Sequence, residues 1–211
     1  STRYSSSAAS DVYKRQNDAD CLALSEAVDG AGSDYKSVFA VILGTGVGAG
    51  FSYDKKIIVG PNKLTGEWGQ NPIPGPMDDY EKSVKRHCGR IGAIEVFLSG
   101  PGLENYYKFI SGSKKSSREI VSLYKENDSF ANEVMDIYFE RIARSFSTFV
   151  NILDPDIIVC GGGMSEIDDI YSEVPKRIIP YIASNYFLTP IVKAFHGSTS
   201  GVRGAAHLWD W

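Results

Sequence analysis

The chain has 211 residues, 43% of them hydrophobic, which is enough for one large domain with a buried core. Its formal net charge is −4 without a basic stripe, which argues against nucleic acid as a partner, and no apolar run reaches the roughly 20 residues of a membrane span. The three cysteines are far apart and odd in number, which indicates a reducing, cytoplasmic setting.

The first 16 residues differ in character from the rest of the chain. They show neither sustained apolar periodicity nor the hydrophobic region of a signal peptide. Residues 7–16 resemble a translated sequencing adapter, so we interpret residues 1–16 as a non-native or disordered leader. A genuine flexible N terminus is the alternative, and neither interpretation enters the fold prediction.

The next elements are a helix and a glycine-rich hairpin. A helix is predicted over Asp18–Asp29, and a short apolar strand over Val38–Leu43 runs into the glycine run Gly44–Gly50. A second strand over Phe51–Val59 follows, broken by a polar turn. Glycines let backbone N–H groups converge on an anion, typically phosphate, whereas a plain hairpin turn needs no ligand. A dinucleotide site requires a helix directly after the glycines and is therefore rejected.

The remaining elements alternate between helices and strands, which predicts an α/β fold. The long helix has apolar residues at helical spacing and ends at an Asp-Pro pair. In chain order the predictions are an irregular stretch Gly60–Pro76, helices Gly92–Leu98, Leu103–Ile110, Ser117–Lys125 and Phe130–Leu153, a buried strand Asp156–Cys160 closed by Gly161–Gly163, a helix Ile167–Ala183 interrupted near Pro175, a strand Pro190–Phe195 and a helix Gly201–Trp211.

Polar loop residues and two glycine turns carry the candidate chemistry. Two glycine turns that follow two strands suit a nucleotide, one turn for the phosphates and one beside the base or ribose. Loop carboxylates and amides suit a polyhydroxylated substrate, because each hydroxyl both donates and accepts hydrogen bonds. The candidates are Asn17 and Asp18, the run Gly44–Gly50, Glu67 and Gln70 with Glu95 downstream, and the turn Gly161–Met164.

These motifs, in this order, resemble those of the ROK family of bacterial sugar kinases, within the hexokinase–actin-like ATPase superfamily. The resemblance covers residues 17–211. The run Glu67–Pro74 is most similar to the manno(fructo)kinase branch, and N-acetylglucosamine kinases are nearly as similar. The matching segments are Asn17–Ala19, Leu43–Gly50, Gly66–Gly69, Cys88–Glu95, Leu153–Gly163, His196–Gly197 and Gly201–Ala206.

The resemblance implies ATP-dependent phosphorylation of a hexose at its 6-hydroxyl, with fructose foremost and mannose or glucose as further substrates. Asp18 would be the general base, since a carboxylate within reach can orient a hydroxyl and accept its proton; a helix N-cap is its alternative role. The sugar would contact Asn17, Asp18, Glu67, Gln70 and Glu95, the transferring phosphate Gly44, Thr45 and Gly46, and the adenosine Gly162 and Gly163. Solvated loops and a plain strand-to-helix turn are the alternatives for these residues.

Two departures from the family are visible. The family's Asp-x-Gly-x-Thr-Lys phosphate turn, which also helps to place Mg²⁺, is missing, so a truncated reading frame of low or no activity is expected. Many members also hold zinc with one His and three Cys, and those positions are Gln70, Arg86, Cys88 and Ala93 here. One thiolate cannot complete a four-ligand site, so no zinc is predicted. Ser198, which follows His196 and Gly197, stands where many members of the family have an acidic residue.

The resemblance also implies an actin-like ATPase (ribonuclease H-like) fold with an active site between two lobes. Residues 17–37 would be a remnant of the small lobe, residues 38–199 the large lobe, and residues 200–211 a helix packing back toward the small lobe. A homodimer through the large lobe is expected. Two other hypotheses stay open, the sugar-binding body of a ROK transcriptional repressor and a catalytically inactive sugar sensor, although Asp18 favours an enzyme.

Overall fold

The computed structural model describes residues 18–86, 88–197 and 200–207. Short 3-10 helices lie at Glu67–Gln70, Gly163–Glu166 and Ile179–Tyr181. The helices and strands are α1 (Asp18–Asp29), β1 (Ser37–Leu43), β2 (Val47–Tyr53), β3 (Lys56–Ile57), α2 (Asp79–Ser83), α3 (Glu95–Leu98), α4 (Gly100–Ser111), α5 (Ser117–Lys125), α6 (Ser129–Leu153), β4 (Ile157–Gly161), α7 (Asp169–Arg177), β5 (Ile191–Lys193) and α8 (Ser200–His207).

The strands form one mixed sheet in the order β3-β2-β1-β4-β5. Strand β1 is antiparallel to β2 and parallel to β4, with Ile42 opposite Gly161 at the end of the parallel pair. Because parallel strands end at the same edge of a sheet, the segments that follow β1 and β4 are neighbours. The α/β fold predicted from the sequence is confirmed.

Each face of the sheet carries its own core, because side chains alternate along a strand. Val38 and Ala40 of β1 cluster with Leu22 of α1 on one face. On the opposite face, Phe39 stacks on Phe149 of α6 with ring centroids 3.9 Å apart. The sheet therefore lies between α1 and the long helix α6. No helix in the described ranges combines the length and apolar character needed to cross a membrane.

The glycine run Gly44–Gly50 does not form a single turn, contrary to the sequence prediction. Only Gly44–Gly46 make the turn, and β2 begins at Val47, earlier than predicted. A Cβ at Gly50 would lie 2.3 Å from the carbonyl oxygen of Ala19 in α1. The second half of the run therefore serves the close approach of α1 to β2, and the candidate phosphate nest is limited to Gly44–Gly46.

Helix α2 was not predicted, although its signal is present in the sequence. Asp78 accepts a hydrogen bond from the backbone N–H of Glu81, and Glu81 accepts one from the N–H of Asp78. This reciprocal pair is a capping box, which satisfies backbone donors at the start of a helix.

Two other predicted boundaries move for identifiable reasons. The first short helix begins at Glu95 instead of Gly92, because Ala93 pairs with Pro72 in an extended bridge. Pro175 lies inside α7, which ends at Arg177, so the helix does stop near this proline, but it does not continue as an α-helix to Ala183 as predicted. Apart from β2, the other strand and helix limits differ from the prediction by at most three residues. The predicted end of the C-terminal helix, residues 208–211, lies outside the described residues.

Candidate active site

The two glycine turns meet at one cavity of about 510 Å³. Gly44 and Thr45 follow β1, and Gly163 follows β4, so the parallel pairing of these strands brings both turns to the same wall. The remaining lining residues come from α4, the start of α5 and the segment after Gly163: Gly100, Pro101, Glu104, Ser116, Ser117, Arg118 and Met164. Three of the predicted nucleotide residues therefore share a single cavity.

Backbone contacts hold this wall in place. The N–H of Gly44 donates to the carbonyl of Gly46 (3.0 Å), and the N–H of Gly100 donates to the carbonyl of Gly44 (2.8 Å). Gly162 has φ +88°, and a Cβ there would lie 2.4 Å from the carbonyl oxygen of Leu43. Only glycine tolerates both conditions, so the second turn is packed directly on the end of β1. By contrast, a Cβ at Gly163 would meet no atom within 4 Å, because this residue faces the cavity.

The opposite wall of the cavity was not anticipated from the sequence. Glu104 of α4 accepts hydrogen bonds from the backbone N–H (2.9 Å) and the hydroxyl (2.8 Å) of Ser117. Ser116 caps α5 through a capping box with Glu119, a signal that the sequence carries. The start of α5 thus borders the cavity, and the exposed guanidinium of Arg118 is the group there that suits an anionic ligand, because the N–H of Ser117 is bonded to Glu104 and that of Glu119 to Ser116.

Glu67 and Gln70 lie on a 3-10 helix that is pressed against β2. Gly66 has φ +84°, and a Cβ there would lie 1.7 Å from the carbonyl oxygen of Ala49. The buried indole of Trp68 packs edge-on against Phe149 with centroids 5.5 Å apart. Because a glycine and a tryptophan anchor this short helix from two sides, the polar residues that flank Trp68 have a defined place beside the sheet.

Glu95 lies next to the first glycine turn. A Cβ at Gly46 would be 3.2 Å from Oε2 of Glu95, so this carboxylate reaches the turn. The other oxygen, Oε1, accepts a hydrogen bond from Nε of Arg86 at 3.0 Å, and Nη1 of Arg86 donates to Oε1 of Gln70. The structure thus joins two predicted sugar-binding residues through an arginine that sequence reasoning had considered only as a missing metal ligand.

Asp18 is the first residue of α1 and is exposed. The described part of the helix begins at Asp18, and Asn17 lies outside the described residues, so the two roles considered for Asp18 stay predictions. Its carboxylate makes no hydrogen bond or ion pair with any residue that the structure describes. The next residue, Ala19, contacts Gly50 of β2, the strand that leaves the Gly44–Gly46 turn. Asp18 therefore directly precedes the point where α1 packs on β2, and its side chain is exposed.

A zinc ion does not fit the four positions that the family resemblance singled out. Gln70 and Arg86 are bonded to each other, and a guanidinium cannot ligate a metal. Ala93 is buried against Pro72, which leaves the exposed Cys88 as the one thiol of the set. Within the described ranges no group of three or more His, Cys, Asp or Glu side chains could hold a metal ion.

The three thiols differ in their acidity. A hydrogen bond from the Arg90 backbone holds the pKa of the exposed Cys88 below its ordinary value, and the Arg86 guanidinium lowers it further. Burial raises the pKa of Cys160 to about 12. The pKa of Cys21 is also raised, first by burial and then by the nearby carboxylate of Asp20. Cys88 is therefore the thiol of the described chain that ionises most readily.

Comparison with known proteins identifies the family. The model of the ROK family matches residues 11–211. An N-acetyl-D-glucosamine kinase of Vibrio atlanticus (strain LGP32) is 41% identical over 199 residues, which are 92% of this chain and 66% of that protein. The chain thus spans slightly less than two thirds of the length of this relative. The sequence interpretation had put the manno(fructo)kinase branch first, whereas this relative carries the name of the alternative.

Solved structures of the family share the fold. The ROK hexokinase from Thermus thermophilus superposes with a TM-score of 0.80 at 23% identity, over 90% of this chain and 62% of that one. A ROK family glucokinase from Streptomyces griseus, solved with glucose and AMPPNP, gives 0.78 at 22% identity, over 92% and 66% of the two chains. The predicted actin-like ATPase fold is confirmed by these neighbours, and this chain belongs to the ROK family.

Proposed function

We propose that the protein transfers a phosphoryl group from ATP to the 6-hydroxyl of N-acetylglucosamine. The observation that carries this proposal is the meeting of two glycine turns at one cavity, with the carboxylate of Glu95 beside the first turn. The name of the 41% identical relative supports the choice of sugar. Fructose, which the run Glu67–Pro74 favoured, is the second sugar to test.

In this proposal the Gly44–Gly46 turn binds the transferring phosphate through the backbone N–H groups of Thr45 and Gly46, since that of Gly44 donates to the carbonyl of Gly46. Asp18 orients the 6-hydroxyl and accepts its proton, while the bond from that oxygen to the γ-phosphorus forms and the bond to the bridging oxygen breaks, which releases ADP. Positioning and charge stabilisation provide most of the catalysis in such transfers. Mg²⁺ would come with ATP, bound mainly by phosphate oxygens, and would supply positive charge there.

The other residues bind the two substrates. Glu95, Gln70 and Glu67, with Asn17, accept and donate hydrogen bonds to sugar hydroxyls. Support comes from the position of Glu95, whose Oε2 lies 3.2 Å from where a Cβ on Gly46 would be. Gly162 and Gly163 border the adenosine, and the open space at Gly163 leaves room for it.

The test is phosphotransfer from ATP to N-acetylglucosamine, fructose, mannose and glucose, combined with calorimetric binding of each sugar. The assay uses the 211-residue chain and any longer chain that its source genome encodes in the same reading frame. We expect product from N-acetylglucosamine at the highest kcat/KM. Asp18→Asn should lower kcat by roughly 10²–10⁴, the usual contribution of a general base, with little change in sugar affinity.

The matched control is Asp34→Asn, an exposed carboxylate on the loop after α1 that makes no ion pair with the described residues. It should leave kcat unchanged. Sugar binding without product, in both forms of the chain, would contradict a kinase and support a sugar sensor. A higher kcat/KM for fructose than for N-acetylglucosamine would instead support the manno(fructo)kinase branch, which the run Glu67–Pro74 favoured.

A further inference from the structure

The segment between Gln70 and Glu95 is a folded-back arm. The N–H of Ile94 donates to the carbonyl of Asn71 (2.9 Å), and the N–H of Ile73 donates to the carbonyl of Gly92 (2.7 Å). These backbone bonds join the two ends of the segment. Gln70 directly precedes the first paired residue and Glu95 directly follows the last, so their side chains emerge side by side.

Arg86 returns to this pair from the tip of the arm. Its backbone N–H donates to the carbonyl of Arg90 (2.8 Å), next to a bridge between Lys85 and Ile91. The side chain is only 17% exposed, and its fork contacts Oε1 of both Glu95 and Gln70. A planar guanidinium is preorganised for two such contacts at once.

The two carboxylate oxygens of Glu95 are thereby given different environments. Arg86 takes Oε1, whereas Oε2 is directed to Gly46 and makes no hydrogen bond with a described residue. A carboxylate held through one oxygen presents the other in a constant direction. The side-chain carbonyl oxygen of Gln70 accepts a hydrogen bond from Arg86, so its NH₂ group can still donate to a further acceptor.

We propose that Arg86 is the positioning residue of the sugar site: its guanidinium orients Glu95 and Gln70 in the manner of a bound cation, and the site works without a metal. This inference rests on the proposed function for the identity of the ligand. The arrangement itself depends only on the hydrogen bonds of Arg86. A metal is excluded from this place because the guanidinium occupies the space between the two oxygen ligands.

The test compares Arg86→Met and Arg86→Lys with the control Lys85→Met in the 211-residue chain. Lys85 is the neighbouring residue, exposed and without an ion pair among the described residues. Its replacement therefore removes the same charge and leaves the hydrogen bonds of Arg86 to Glu95 and Gln70 in place. Hydrogen exchange of residues 67–73 and 92–95, measured without ligand, should accelerate in Arg86→Met and stay at the wild-type rate in Lys85→Met. Circular dichroism confirms that each variant is folded.

Sugar binding gives the second measurement. Arg86→Met should weaken N-acetylglucosamine binding roughly tenfold or more, as expected from lost hydrogen bonds to a charged group. Arg86→Lys keeps the positive charge but lacks the planar guanidinium that bonds two acceptors at once, so it should recover part of the lost sugar affinity. In the active protein the sugar KM should rise while the KM for ATP stays constant, a separation that general destabilisation does not produce.

Two results would overturn the inference. One is exchange and sugar affinity in Arg86→Met that match Lys85→Met. The other is loss of sugar binding by the wild-type chain in EDTA with recovery on addition of Zn²⁺, because the inference predicts no effect of either. If the wild-type chain binds no sugar, the proposed function fails, and the exchange rates still decide whether Arg86 holds the two ends of the arm together.

Discussion

At the scale of single residues, three thiols of one chain have opposite tendencies to ionise. Cys88 is exposed on the arm beside Arg86, and Cys21 and Cys160 are buried against the sheet. The thiolate is the reactive form of cysteine, so reactivity follows pKa and exposure. A simple labelling experiment can therefore report on the local structure around Arg86 without any substrate.

We predict that iodoacetamide modifies Cys88 first in the folded chain, and Cys21 and Cys160 only after unfolding. Since the pKa of Cys88 is lowered, its reaction should persist at a pH where an ordinary thiol is mostly protonated. In Arg86→Met the pH of half-maximal rate should move upward, because a positive charge that favours the thiolate is removed. Peptide mass spectrometry after timed labelling measures both effects, and an unchanged pH profile in Arg86→Met would contradict the prediction.

At the scale of elements, close backbone approach decides where the 3-10 helix Glu67–Gln70 lies. Gly66 combines a positive φ with a carbonyl oxygen in the space of a Cβ, and the N–H of Ala49 donates to its carbonyl (2.9 Å). Gly112, at the end of α4, has a similar φ of +72° with no atom within 4 Å of a Cβ. The two positions separate backbone strain from steric exclusion.

Gly112→Ala should lower the free energy of unfolding by about 1 kcal/mol, the cost of a left-handed residue with a side chain. Gly66→Ala carries the same cost plus the clash with Ala49, so its loss should be clearly larger. The same variant should expose Trp68, which a red shift of its fluorescence would report. Equal unfolding midpoints for the two variants in urea would show that the approach to β2 is not needed.

At the scale of the whole molecule, one buried ionic cluster attaches the arm to the long helix. Glu81 of α2 accepts hydrogen bonds from Nε of Arg141 (2.9 Å) and Nη1 of Arg144 (3.1 Å), both from α6. Arg144 also donates to the carbonyl of Pro74 at 2.6 Å. Residues 17–37 were predicted to be a remnant of a separate small lobe, yet α1, which lies in this range, packs directly on the sheet. The division into two lobes therefore stays a prediction.

Glu81→Gln should lower the free energy of unfolding by about 3 kcal/mol, because two buried guanidinium groups lose the carboxylate they share, and only Arg141 keeps another, Asp78 at 3.4 Å. Asp79→Asn is the matched control two residues earlier on the same helix, where an exposed pair with Lys82 at 3.5 Å contributes little to stability. Chemical denaturation of both variants checks the difference. A loss below that of the control would mean that the cluster does not anchor the arm.

The sequence by itself determined the α/β class, the long helix and the position of both glycine turns. Helix α6 was predicted over Phe130–Leu153 and found over Ser129–Leu153, because apolar residues at helical spacing and an Asp-Pro stop are local signals. The strands before each glycine turn are equally local, since short β-branched runs are recognisable without their neighbours. The motif order also led to the family that the comparisons show.

Only the tertiary structure decided what each glycine and polar residue contacts. Gly50 accommodates α1, whereas Gly163 faces a cavity, and the sequence around these glycines does not distinguish the two uses. The hydrogen bonds from Arg86 to Gln70 and Glu95 were missed because they depend on how a 24-residue arm folds back on itself, which backbone pairing at its ends determines. Local patterns report backbone preference and burial, while contacts between distant residues follow from packing, so the partner of Arg86 became visible only in the fold.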